Sequence, residues 1–227
     1  MNTAVSEVRS LLRAKHYEPR KPTYQRLFWL FMIASIAGVI IEGVWYYFQH
    51  DHWETHVVSV WGPFCIIYGL GASGCYAANY YLRGKNIIIK FLVYAFVGDA
   101  VELLCGLVLR YTLNMRAWTY EGYPLNFMGL ICIKMTIIWG FAGLGFGLLV
   151  PIVDSGLDWL SGKFWDTACL ALTAFMIVNF TLTGICLARW AARHEGHKAG
   201  NSFTEWIDEK YDDDYMEKRF CEWHFRS

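Results

Sequence analysis

Five long apolar runs, near 27–48, 58–82, 88–109, 125–150 and 166–188, are separated by short polar connectors. Each has about the 20 residues that a helix needs to cross a bilayer. Charged residues crowd into the first 26 positions, the connectors and the last 40, leaving the runs nearly bare. The pattern predicts an all-α integral membrane protein with five transmembrane helices. It divides into a basic leader (1–26), a transmembrane domain (27–190) and a polar tail (191–227). The first run carries aromatics at both ends, as interfacial belts do. It follows a long polar segment and reads as a retained helix rather than a cleaved signal peptide. Within the leader, SEVRSLLRAKHY predicts a short amphipathic helix, broken by Pro19 and Pro22. The stretch PIVDSGLDWLSGKFWD reads as an interfacial elbow between the last two runs. In the tail, Ser202 with Glu205 fits a capping box, and Phe203, Ile207, Tyr211 and Tyr215 recur every fourth residue. These predict one amphipathic helix lying on protein or at the membrane surface, or docking a partner.

Runs one and three share a pattern. Gly38 precedes Glu42 by four residues, and Gly98 precedes Glu102 by four. Each run leads through a Trp-containing link (Trp53, Trp118) to a run opened by Pro (Pro63, Pro124) and holding glycines. This predicts two helix–link–helix units in tandem. With two helices per unit, both units enter the membrane from the same side, so the repeat is parallel.

Charge then sets orientation and poses the chemical question. With the N-terminus inside, ten Lys and Arg flank the inner ends of the runs and five flank the outer ends, which places the N-terminus in the cytoplasm and the C-terminus outside. Inside the fourth run lies Lys134, a residue that costs about 2.5–3.5 kcal/mol at a bilayer centre unless partnered. Glu42, Glu102 and Lys134 fall at similar distances from the outer ends of their runs, roughly 10–14 Å at 1.5 Å per residue, with the Tyr68 hydroxyl at the equivalent place in run two. A Glu–Lys–Glu cluster with a nearby Tyr is therefore expected. It serves either as a ligand-accessible site or as a buried ion pair that fixes helix packing.

The composition, 56% hydrophobic with mean hydropathy +0.27 and 20 basic against 20 acidic residues, points to neither an acidic nor a basic partner, and nucleic-acid recognition has no support. Six of seven cysteines lie within apolar runs and behave as small hydrophobes. No phosphate-binding GxxxxGK[ST] loop occurs, so any ATPase belongs to another chain. His50, His52 and His56, with Asp51 and Glu54, are candidate metal ligands, with no cysteine or fourth strong ligand nearby, and a solvated loop is the alternative. No paired mid-run histidines exist to ligate haem, and no cofactor is expected.

The run PLNFMGLICIKMTIIWG (124–140), preceded by WTY at 118–120, resembles the W-x-Y…N-x-x-G-x-I-C-x-K…WG block of the CmpB-type ABC-transporter permease family. IAGVIIE resembles that family's GWxxE segment, with Val39 in place of Trp. GPFCIIYGLGA resembles its GPxxPxYGxGA block, with Ile66 where Pro is usual. The resemblance covers about residues 30–150. It implies a multi-pass protein of the bacterial cytoplasmic membrane, with Glu42, Tyr68, Glu102, Trp118, Tyr120, Asn126 and Lys134 at the family's polar positions as candidate substrate-binding residues. The expected function is a permease-like transport component for a small polar or ionic substrate. The alternatives are a scaffold subunit of a larger membrane complex and a membrane-embedded acid–base enzyme. Expected partners are the lipid bilayer, a separate ATPase or other membrane subunit, and a second copy of the chain.

Overall fold

The computed structural model describes residues 17–226, and the amphipathic helix expected in the leader lies almost wholly outside them. Five helices form the bundle: α1 (Tyr24–His50), α2 (Ile66–Tyr81), α3 (Ile87–Leu113), α4 (Ile133–Trp159) and α5 (Lys163–His194). Their ends follow the local sequence. The Thr23 and Asn86 side chains accept from the backbone N–H of Arg26 and Ile89, capping α1 and α3. Asp51 and Asn114 close the same two helices in the left-handed conformation, at φ 58° and 49°.

Four helices, α1, α3, α4 and α5, are long and apolar enough to cross a membrane. The second run differs from expectation. Its first residues are irregular, and α2 has 16 residues, about 24 Å. Gly62, at φ +70°, and Pro63 stop a helix from forming earlier. The link 51–65 instead descends beside α1, where the Cys65 N–H donates to the Ser35 carbonyl at 3.2 Å. Ser35 lies about 22 Å along α1 from its C-terminal end. The fourth run behaves likewise. Residues 117–132 are irregular apart from a short hairpin, β2 (Asn126–Phe127) against β3 (Ile131–Cys132), and α4 starts only at Ile133.

The predicted elbow is also narrower. Helix α4 continues through Pro151 to Trp159, and the break is confined to Leu160–Gly162, with Gly162 at φ +99°. Pro151 removes one N–H from the ladder without ending the helix. The tail forms two helices instead of one, α6 (Ser202–Lys210) and α7 (Asp213–Arg219). Asn201, not Ser202, caps the first, in a reciprocal box with Thr204. The Asp212 side chain accepts from the Tyr215 N–H and starts the second.

Helices α1 and α2 pack together, as do α3 and α4, and α2 joins the two hairpins through α3. Helix α5 lies against α1, α3 and the tail. One apolar cluster, around Trp29, Tyr76, Val150 and Met176, holds the end of the bundle where α1 begins. Another, around Met115, Trp190, Tyr211, Phe220 and Trp223, fixes the tail to the opposite end, here termed the link end. There β1 (Met115–Arg116) pairs antiparallel with β4 (His224–Phe225), tying the second link to the chain's last residues.

Candidate functional site

The two units repeat at the level of side chains. In the first, Gly38 leaves room for the Tyr68 ring, since a Cβ there would stand 2.2 Å from Tyr68 Cγ. One turn on, Glu42 Oε2 accepts from the Tyr68 hydroxyl at 2.7 Å. In the second, a Cβ at Gly98 would stand 2.1 Å from Trp139 Cγ, and Glu102 Oε1 accepts from Trp139 Nε1 at 3.0 Å. A glycine on the first helix thus admits an aromatic ring from the second, and the glutamate four residues later takes that ring's polar hydrogen. The aromatic is followed by glycine in both units (Gly69, Gly140), each pressed on a phenylalanine of the facing helix, Phe31 or Phe91. Tyr120 adds a second donor to Glu102 Oε1 at 3.3 Å. Glu102 is 5% exposed, and its Oε2 has no hydrogen-bond partner among the described residues. Nearby, Asp99 accepts from the Thr136 hydroxyl at 2.8 Å.

Lys134 does not join either carboxylate. It is exposed, pairs with no acid within 4.0 Å among the described residues, and its Nζ lies 5.3 Å above the Tyr123 ring. The three charges therefore form no single cluster. The expected depth is kept, because α4 packs beside α3 at Asp99 and Glu102, but the direction is wrong. Lys134 precedes Trp139 by five residues, a rotation of about 140° around the helix. With Trp139 turned to Glu102, Lys134 faces away.

The remaining expected site residues shape the second link. Trp118 Nε1 donates to the Leu130 carbonyl at 3.0 Å. The Asn126 side chain donates to the Tyr123 carbonyl at 2.9 Å and accepts from the Gly129 N–H at 3.1 Å.

Several polar partners lie outside the residues singled out from the sequence. Non-helical backbone at membrane depth needs internal hydrogen-bond partners, and α5 supplies them. Asn179 accepts from the Trp61 N–H at 3.2 Å and donates to the Trp61 carbonyl at 2.9 Å; Thr183 accepts from the Val60 N–H at 3.0 Å. From the tail, Arg219 donates to the Ser59 carbonyl at 2.8 Å and Tyr215 to that of Val60 at 2.9 Å. A lone amide inside an apolar run was the available signal for Asn179. At the opposite end, Asp154, 2% exposed, pairs with Arg26 at 2.9 Å and accepts from Tyr17 and Tyr76.

His56 connects the first unit to the tail. It is 6% exposed, with Nδ1 2.6 Å from Glu222 and 3.9 Å from Glu42. The first is a close ion contact rather than an aligned hydrogen bond. Burial works against the charged imidazole. The Glu222 contact and the charges of Glu42, Glu222 and Glu54 outweigh it, so its pKa lies above the ordinary value. His50 instead stacks on Tyr46 at 4.1 Å, and His52 pairs with Glu54 at 3.3 Å. Among the described residues no group of three His, Cys, Asp or Glu side chains is arranged to hold a metal ion. Between the second link and the tail lies a cavity of about 440 Å³, with Tyr46, Glu54, Arg116, Trp118, Glu222 and His224 in its walls.

The profile of the CmpB-type family described as "Putative ABC-transporter type IV" matches residues 29–184. The chain belongs to this family. No curated protein and no solved structure matches it. The CmpB-type match takes in both glycine–glutamate–aromatic units and most of α5 and ends before the tail. Membership and the apolar helices together make this a multi-pass membrane protein of ABC-transporter type. Glu222, the nearest partner of His56, comes from the part of the chain beyond the CmpB-type match.

Proposed function

We propose that this CmpB-type chain is the membrane-embedded, permease-like component of a transporter, in which Glu42 and Glu102 receive donor groups of a small polar or ionic substrate. The observation that carries this reading is the duplicated carboxylate. Each glutamate lies within a span and is oriented by neutral aromatic donors; Glu42 has the His56 imidazole at 3.9 Å, and among the described residues neither is paired with a Lys or Arg within 4.0 Å. Carboxylates kept in a membrane without such a partner mark substrate or proton pathways more often than packing contacts. Tyr68, Trp139 and Tyr120 fix the carboxylates, and Asn126 and Trp118 hold the link above Glu102. Lys134 has no part in the carboxylate pairs. The leader lies in the cytoplasm, the links and tail outside, in a bacterial cytoplasmic membrane. A separate ATPase would supply the energy, since this chain has no phosphate-binding loop.

The test is accumulation of small polar solutes from a defined mixture, read by mass spectrometry, in cells producing the chain or its Glu42→Gln/Glu102→Gln variant. At least one solute should accumulate with the unaltered chain and fall to background with the variant, at equal membrane abundance. Equal accumulation in both would overturn the proposal and leave a scaffold role for the carboxylates.

A further inference from the structure

The link-end cavity has a charge pattern that the carboxylate units do not explain. Its two acids are already occupied. Glu54 contacts His52 Nε2 at 3.3 Å, and Glu222 contacts His56 Nδ1 at 2.6 Å. Both histidines are held above the ordinary pKa, His52 by its hydrogen bonds to the His50 carbonyl and Glu54, and His56 by its acidic neighbours in spite of burial. Each acid therefore faces a group favouring positive charge. Arg116 is different. It lines the same cavity yet has no acid within 4.0 Å and no hydrogen-bond acceptor among the described residues. The antiparallel pairing of β1 with β4 sets it directly opposite His224, a second nitrogen donor in the cavity wall. Trp118 stands beside them, anchored by its bond to Leu130, and offers an apolar plate. An unpaired guanidinium, a neighbouring imidazole and an indole make a receptor for a small carboxylate, because the guanidinium fork binds both carboxylate oxygens at once.

We infer that this cavity is the outer binding site for a small molecule carrying a carboxylate together with an amino or hydroxyl group. This rests on the transport reading, in which Glu42 and Glu102 accept hydrogen bonds from the substrate. The carboxylate end is taken by Arg116 outside the spans, and the donor end is the part that a membrane carboxylate can receive. A volume of about 440 Å³ holds a molecule of amino-acid or hydroxy-acid size with water to spare.

Equilibrium binding to the purified full chain in lipid nanodiscs tests this, with alanine, lactate and propylamine as probes. Alanine and lactate should bind and propylamine should not. Arg116→Gln should weaken alanine and lactate at least about tenfold, and Arg116→Lys should restore part of the loss, as a point charge replaces the fork. Arg116 is exposed, so these variants should keep the melting temperature of the unaltered chain. Binding of propylamine as tight as alanine, binding of none of the probes, or affinity indifferent to Arg116→Gln would each overturn the inference. The two readings fail separately. Accumulation unaffected by the Glu42→Gln/Glu102→Gln change removes the transport reading, whereas binding that ignores Arg116 removes this one.

Discussion

Replacing Gly98 by alanine probes the contact on which the second unit is built. The added methyl would lie 2.1 Å from Trp139 Cγ and 2.3 Å from Cδ2, where carbon atoms prefer roughly 3.5–4.0 Å. The indole must retreat by more than about 1 Å. It is backed by α2, where a Cβ at Gly71 would already be 3.2 Å from Trp139 Cζ3. Retreat also carries Nε1 away from Glu102, 3.0 Å distant. Overpacking costs about 1–3 kcal/mol and the lost hydrogen bond about another 1–2. The better helix propensity of alanine returns up to about 1. The net expectation is a loss of about 1–5 kcal/mol. Reversible unfolding in mixed micelles measures it, with Gly145→Ala as control, because a Cβ at Gly145 meets nothing within 4 Å. Gly38→Ala should be as costly, for the equivalent reason at Tyr68. In a Glu102→Gln background the cost of Gly98→Ala should shrink, since both changes act through one contact. A Gly98→Ala protein as stable as the Gly145→Ala control would mean that the Trp139 ring does not depend on the missing Cβ.

Three further outcomes follow from the same geometry. Lys134→Met should change stability by less than about 1 kcal/mol, the scale of one exposed cation–π contact, in contrast to the about 3–5 expected for breaking a buried ion pair; unfolding titrations decide between them. Asn179→Leu should destabilise by about 1–3 kcal/mol by stranding the Trp61 N–H, while the carbonyl keeps the Ser59 hydroxyl at 2.9 Å, and hydrogen exchange should become faster at residues 59–62. Because the folded pKa of His56 is raised, its contribution to tail docking is complete below the unfolded value of about 6.5 and is lost as pH rises through the higher folded value; the protection of 213–226 against hydrogen exchange, corrected for intrinsic base catalysis, should fall on alkalinisation, and Glu222→Gln should flatten that dependence.

Hydrophobic patterning was enough to read the helical membrane architecture and the tandem repeat, because apolar run length and the Gly–xxx–Glu spacing are local properties. Where two helices start late, the signal was weaker. Residues 58–65 and 125–132 are as apolar as a span, yet Gly62, Pro63 and the left-handed Leu125, Met128 and Gly129 keep them irregular; the backbone of the first is satisfied by Asn179, Thr183 and a tail more than a hundred residues away, that of the second by Arg110 and Trp118. Lys134 shows the other limit. Distance along a run gives depth, but which way a side chain faces depends on which ring its helix turns to the neighbour, and that was Trp139. The link between His56 and Glu222 joins residues 166 apart and had no sequence period to reveal it.

For transport, Glu42 and Glu102 must be open to substrate rather than sealed as packing contacts. Modification by a membrane-permeant carbodiimide, mapped by mass spectrometry on the full chain in nanodiscs, tests this most directly. Adducts are expected at both glutamates, forming more slowly when a transported solute is present. No adduct at either residue, or adducts whose rate ignores every transported solute, would contradict it.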